Sequence, residues 1–221
     1  MPFVLAKRGS LPLRMALAGV GGAGKTLTSL LIAHKLAGGG PVALIDTEAG
    51  SASLYAGKIP GGFHVLELSP AGPVQMVEAM EEAKATGAKV LIVDSASSEW
   101  AGPGGCLEMV DNAKFKGWAM VTPLHNRFYD AIRAWPGHVI ITVRRKTEYV
   151  VSPSGAPKKV GLTMVQREGL EYELDLIVNL EDSLAVVAKS RLDEPLQQGA
   201  TVQRDELPIL VHKVVSAAAH S

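Results

Sequence analysis

Eight residues near the start of the chain, Gly19-Val20-Gly21-Gly22-Ala23-Gly24-Lys25-Thr26, constrain its fold more than any others. They fit the spacing G-x-x-x-x-G-K-[ST], in which a glycine turn wraps backbone N–H groups around phosphate oxygens and the following helix adds the positive end of its dipole. That arrangement needs a strand before the turn and a helix after it, and the flanking residues supply both. Leu13–Ala18 is an apolar run, and Lys25–Leu36 reads as a helix stopped by Gly38-Gly39-Gly40. In this loop Lys25 is placed to reach the β- and γ-phosphates and Thr26 to bind Mg²⁺ through its hydroxyl. The expected ligand is ATP with Mg²⁺.

The rest of the chain alternates strand and helix, as in an α/β domain with a mainly parallel sheet. Val42–Asp46, Val65–Leu68, Val90–Asp94 and His138–Val143 read as strands, and Pro73–Lys84 as a helix. Val90–Asp94 is a pure aliphatic run ending in a carboxylate. At this distance from a phosphate loop, Asp94 is the expected acid that holds Mg²⁺ through water. Residues 96–120 are glycine-rich with three aromatics and predict a long, partly ordered loop. Thr122-Pro123 predicts a helix start, N-cap then first turn, running to about Trp135. Ser152–Pro157 is a turn cluster, Leu174–Leu180 and Leu184–Ala188 suggest a closing β-hairpin, and Ile209–Val215 a short final helix. Expected boundaries are an arm over 1–10, one ATPase-like core over 11–191 and a tail over 192–221.

Composition excludes several classes. Hydrophobic residues make up 47% and charged ones 20%, which is a globular balance. The single cysteine, Cys106, forms no internal disulfide, and no CxxC spacing suggests zinc. No apolar run predicts a signal peptide or a membrane span, so a cytoplasmic location is expected. Net charge is zero, but it is unevenly spread. Residues 112–167 hold ten basic residues against two acids, a net +8, while the segments before and after carry −2 and −6. One basic third points to a polyanion at one face, with a merely solvated surface as the other reading.

Val20 stands where partition-type ATPases carry a second lysine, which argues against that branch. A P-loop kinase of a small phosphorylated substrate stays open, because the basic third could serve as its lid. The strand after the P-loop helix ends Ala43-Leu-Ile-Asp46-Thr47-Glu48, and Tyr55 follows seven residues later. This resembles the core of RecA-type recombinases. The resemblance implies that Glu48 is the general base for the attacking water and that Tyr55 neighbours the adenine. The alternative for Glu48 is an exposed turn acid.

A longer resemblance covers roughly residues 3–191. It is carried by Phe3-Val-Leu-Ala6, the P-loop, Val90–Ser95, Thr122–Phe128, Arg144–Val150, Pro157–Leu162 and Gln166–Glu173. Together these are similar to the single-domain, RecA-like ATPases of bacteriophages, which act as single-strand annealing proteins or recombinases. The resemblance implies a DNA-stimulated ATPase that assembles as a ring or filament on single-stranded DNA, with a single-strand-binding protein as a further partner class. Arg144 stands where the family carries a γ-phosphate sensor, usually Gln, so it reads as sensor, finger to a neighbour, or DNA contact. Lys158 and Lys159 stand where lysines reach a neighbour's nucleotide, the alternative being two solvated lysines beside a proline turn. Phe3 and Ala6 match an assembly motif, the alternative being a frayed terminus. Two DNA-binding loops correspond to residues 97–120 and 147–165, with Lys114, Lys116, Trp118, Arg145 and Lys146 as DNA contacts. Aromatics on such a loop stack bases or pack beneath it.

Overall fold

In the computed structural model, which describes residues 12–113, 116–151 and 157–219, the aliphatic runs form the centre of one nine-stranded sheet. The strands are β1 (Arg14–Gly19), β2 (Val42–Asp46), β3 (His64–Glu67), β4 (Val90–Asp94), β5 (His138–Val151), β6 (Pro157–Met164), β7 (Leu176–Glu181), β8 (Leu184–Ser190) and β9 (Thr201–Gln203). Their order is β3-β2-β4-β5-β1-β7-β8-β9, with β6 paired to β5. Contacts from β3 across to β7 are parallel, and β8, β9 and β6 add antiparallel.

Every residue of β1, β2 and β4 is buried, because helices cover both sheet faces. Alternate residues of each strand feed opposite cores. Ala16, Ile45, Leu91, Val93 and Ile141 pack with Met76 and Met80 of α2 (Pro73–Ala85) and with Phe128 and Ile132 of α5 (Gly117–Ala134). Met15, Leu17, Leu44, Ile92 and Ile140 pack with Leu30 and Ile32 of α1 (Lys25–Ala37) and with Leu207 and Val211 of α6 (Leu207–Ala219). The mixed α/β class with a mainly parallel sheet and a C-terminal β-hairpin, β7–β8, is therefore the observed fold. Among the described residues, no helix is long and apolar enough to cross a membrane.

Two expectations about the segment after Asp94 are corrected. Instead of the long loop expected over residues 96–120, the described residues there include α3 (Ser97–Ala101), α4 (Cys106–Asn112) and the start of α5. Helix α5 also begins at Gly117 rather than at Thr122, so Pro123 lies inside it. The reason is tertiary. Val121, His125, Phe128, Tyr129 and Ile132 make one buried stripe that extends back to Gly117, and burial of that stripe outweighs the one hydrogen bond that proline removes. Gly117 permits the close approach of α4, since a Cβ there would lie 2.6 Å from the Val110 carbonyl oxygen. Strand β5 also runs past Val143 to Val151, forming a hairpin with β6 whose turn lies outside the described residues.

Candidate functional site

Parallel strands β1, β2, β4 and β5 end on one edge of the sheet, where open α/β folds bind ligands. Each end delivers a side chain or loop that the sequence singled out. After β1 the chain turns through Gly22 at φ 79° and Gly24 at φ 82°, left-handed conformations that favour glycine. Helix α1 follows at once, with Thr28 N–H donating to Gly24 O at 2.9 Å. Lys25 is buried, and its Nζ donates to Val20 O at 2.9 Å. Burial lowers its pKa, Glu48 and then Asp94 oppose that shift, and Arg144 adds to it.

Asp94, at the end of β4, is 1% exposed. The Thr142 hydroxyl donates to its Oδ1, while Oδ2 is buried without a hydrogen-bond partner among the described residues. Burial raises the carboxyl pKa, opposed by the neighbouring hydroxyls of Thr142 and Thr26. A buried carboxylate oxygen left over beside the P-loop threonine suits a divalent cation. Thr26 and Asp94 therefore fit the Mg²⁺ that the motif implies.

Glu48 sits on the turn after β2. Asp46 shapes that turn by accepting the Glu48 N–H at 2.6 Å and the Ala52 N–H at 2.8 Å. Arg144, just past the core of β5, holds Glu48 Oε1 at 3.0 Å from both Nε and the terminal nitrogen. Its own N–H donates to Ser97 Oγ at 2.9 Å. Thr47 stitches the ends of β2 and β4, receiving Ser95 N–H at 2.9 Å on its hydroxyl. A cavity of about 370 Å³ results, lined by Gly21, Gly22, Gly24, Lys25, Thr26, Glu48, Tyr55 and Arg144 among others. The structure thus brings the P-loop, Glu48, Tyr55 and Arg144 around one space, with Asp94 beneath.

The candidate DNA contacts lie elsewhere. Lys116 precedes α5 and is exposed, and Lys146 is exposed on β5. Trp118 is 47% exposed, with its ring 5.7 Å from Trp100 and the Arg167 guanidinium 5.8 Å over it. Arg145 is engaged, pairing with Glu181 at 3.1 Å and donating to Leu162 O at 3.0 Å. Phe3, Ala6, Lys114 and the side chains of Lys158 and Lys159 lie outside the described residues.

Sequence reasoning missed three contributors. Thr142 was legible as the one hydroxyl in an aliphatic strand. Asp46 was legible only as a strand-end acid. Arg204, from the tail expected over 192–221, donates to Ala23 O at 3.2 Å and Asp182 O at 2.8 Å and lies against Gly24, bracing the outside of the P-loop. Nothing in its sequence neighbourhood marks it.

A glycine phosphate cradle, its lysine, a hydroxyl–carboxylate pair for the cation and a parallel sheet behind them define a P-loop ATPase domain. Residues 11–204 match the model of the AAA domain family, and the chain belongs to that family. Membership implies a nucleotide ligand and, usually, Mg²⁺. Among solved structures, the chain is similar to the "ATPase Domain of G40P", at 15% identity over 89% of this chain and 81% of that one, with a TM-score of 0.53. That likeness establishes a RecA-like P-loop fold. No curated protein sequence matches the chain.

Proposed function

We propose that this protein is a DNA-stimulated ATPase that assembles on single-stranded DNA and promotes annealing or strand exchange. The observation that carries the reading is Glu48, held by Arg144 in the same cavity as Lys25 and Thr26. Lys25 offers its ammonium to the β- and γ-phosphates in place of the Val20 carbonyl. Thr26 and Asp94 hold Mg²⁺, which when bound neutralises charge on the phosphate oxygens. Glu48 orients water and takes its proton, and Arg144 is the nearby cation available to the terminal phosphate. Tyr55 borders the space for the base.

Exposed Lys116, Lys146 and Trp118 support a single-stranded DNA partner, since cations track phosphates and aromatic faces stack bases. Self-assembly through Phe3 and Ala6, and lysines 158 and 159 reaching a neighbour's nucleotide, follow from the resemblance to the bacteriophage ATPases. A small-molecule kinase is not favoured, because family and fold are those of an ATPase domain. Glu48→Gln tests the reading. Nucleotide binding is expected to persist while hydrolysis falls by roughly 10²–10⁴, the usual worth of a general base. Turnover within a few-fold of the parent would move the base elsewhere and remove the main support.

A further inference from the structure

Behind the strand that ends in Asp94, helices α3, α4 and α5 bring together three side chains that the P-loop chemistry does not use. They are Glu99, Cys106 and His125, exposed by 0, 0 and 1%. His125 Nδ1 lies 2.9 Å from Glu99 Oε1 and 3.2 Å from Oε2. Cys106 Sγ lies 3.0 Å from Glu99 Oε1 and 3.8 Å from His125 Nδ1. We propose that this cluster is a binding site for one zinc-class metal ion, ligated by Cys106 Sγ, His125 Nδ1 and the Glu99 carboxylate.

The donor set selects the metal. A thiolate, an imidazole and a carboxylate together suit Zn²⁺, whereas Mg²⁺ and Ca²⁺ prefer oxygen alone. Zinc bonds of about 2.0–2.3 Å in a tetrahedron separate the donors by roughly 3.3–3.6 Å. The observed separations of 2.9–3.8 Å bracket that range, so shifts of a few tenths of an ångström accommodate the ion. Both Glu99 oxygens face His125, so the fourth contact is a narrow two-oxygen grip by Glu99 that distorts the tetrahedron.

The surroundings fit as well. Gln166 Nε2 donates to Ala96 O at 3.0 Å and to Glu99 Oε2 at 3.4 Å, which orients the carboxylate as second partners of metal ligands do. Trp100 and Tyr129 flank the imidazole at ring distances of 5.3 and 4.3 Å and exclude water. The contacts of Nδ1 make it the nitrogen aimed into the cluster, while His125 Nε2 has no hydrogen-bond partner among the described residues. Complete burial denies Cys106 the access that a nucleophile needs. The site would staple α3, α4 and α5 and so fix the base of the segment that carries Lys116 and Trp118. Zinc spacing is not visible in the sequence because the ligands come from three separate helices.

Cobalt titration of the tag-free, reduced, nucleotide-free full chain tests the site without using ATP hydrolysis. Cys106 is the chain's single cysteine, so thiolate-to-cobalt charge-transfer absorption can arise from no other place. One Co²⁺ per chain is expected, with that near-ultraviolet band and the visible bands of a four-coordinate ion, all displaced by one equivalent of Zn²⁺. Cys106→Ser should abolish the charge-transfer band and weaken metal binding by roughly 100-fold, one ligand's share of a structural site. If that variant does not fold, the parent's spectrum still decides. Several equivalents of Co²⁺ without a thiolate band, whether or not cobalt binds elsewhere, would overturn the site and leave a hydrogen-bonded cluster.

Discussion

Burial moves the two charged groups at the heart of the P-loop site toward their neutral forms, Lys25 titrating lower and Asp94 higher than in water. In the proposed roles each penalty is relieved by the ligand, phosphate for Lys25 and a cation for Asp94. The folded Asp94 carboxyl titrates above its unfolded value. Its cost is therefore present wherever the unfolded carboxyl is ionised, and it fades as pH falls through the folded value. Asp94→Asn should then stabilise the nucleotide-free protein at neutral pH by about 1–2 kcal/mol, raising Tm by roughly 2–8 °C. The gain should shrink toward acid pH, and Mg²⁺ should no longer tighten nucleotide binding. Thermal melts at several pH values, with and without ATP and Mg²⁺, check this, and a Tm at or below the parent's at pH 7 would mean Asp94 is already fully paired. Lys25→Ala should lose tight ATP binding by calorimetry while staying folded, because the phosphates lose their buried cation. Unchanged affinity would put the phosphates elsewhere.

Helix α5 shows what local pattern can and cannot reveal. A Thr-Pro pair is a strong local start signal, yet the helix begins at Gly117, because the stripe through Val121, His125 and Phe128 is buried, Phe128 in the core shared with α2 and the sheet and His125 against Glu99 and Cys106. Aliphatic runs such as Val90–Asp94 and Val42–Asp46 were legible because strands buried on both faces can hardly be anything else. The P-loop was legible because its chemistry is contiguous in sequence. Arg204 and the Glu99–Cys106–His125 cluster were not, since tertiary packing alone brings them to their partners. Gly117→Ala should cost about 1–3 kcal/mol by overpacking against Val110, measurable by urea denaturation; a neutral change would show that α4 yields freely. On the same element, Trp118→Ala should weaken single-stranded DNA binding by about 1–3 kcal/mol without altering its salt dependence. Lys116→Ala should flatten the salt slope by about 0.7, one phosphate contact. A fluorescence-anisotropy titration at several salt concentrations separates the two, and parent-like binding by both folded variants would remove this face from the DNA site.

Across the whole molecule, the zero net charge conceals a +8 segment over residues 112–167. That segment begins after β4 and runs through α5, β5 and β6. Arg144 belongs both to it and to the nucleotide cavity, through its bond to Glu48. Polyanion contact along this segment thus has a short covalent and hydrogen-bonded path to the groups proposed to carry hydrolysis. Ser97 ties the Arg144 backbone to α3 on the same side. The most direct test is the steady-state rate of ATP hydrolysis with Mg²⁺, measured with and without saturating single-stranded DNA and with Lys25→Ala as the blank. A rate raised by roughly tenfold or more on single-stranded DNA, about 1.4 kcal/mol off the barrier, is the predicted result. Equal rates with and without DNA would contradict the account.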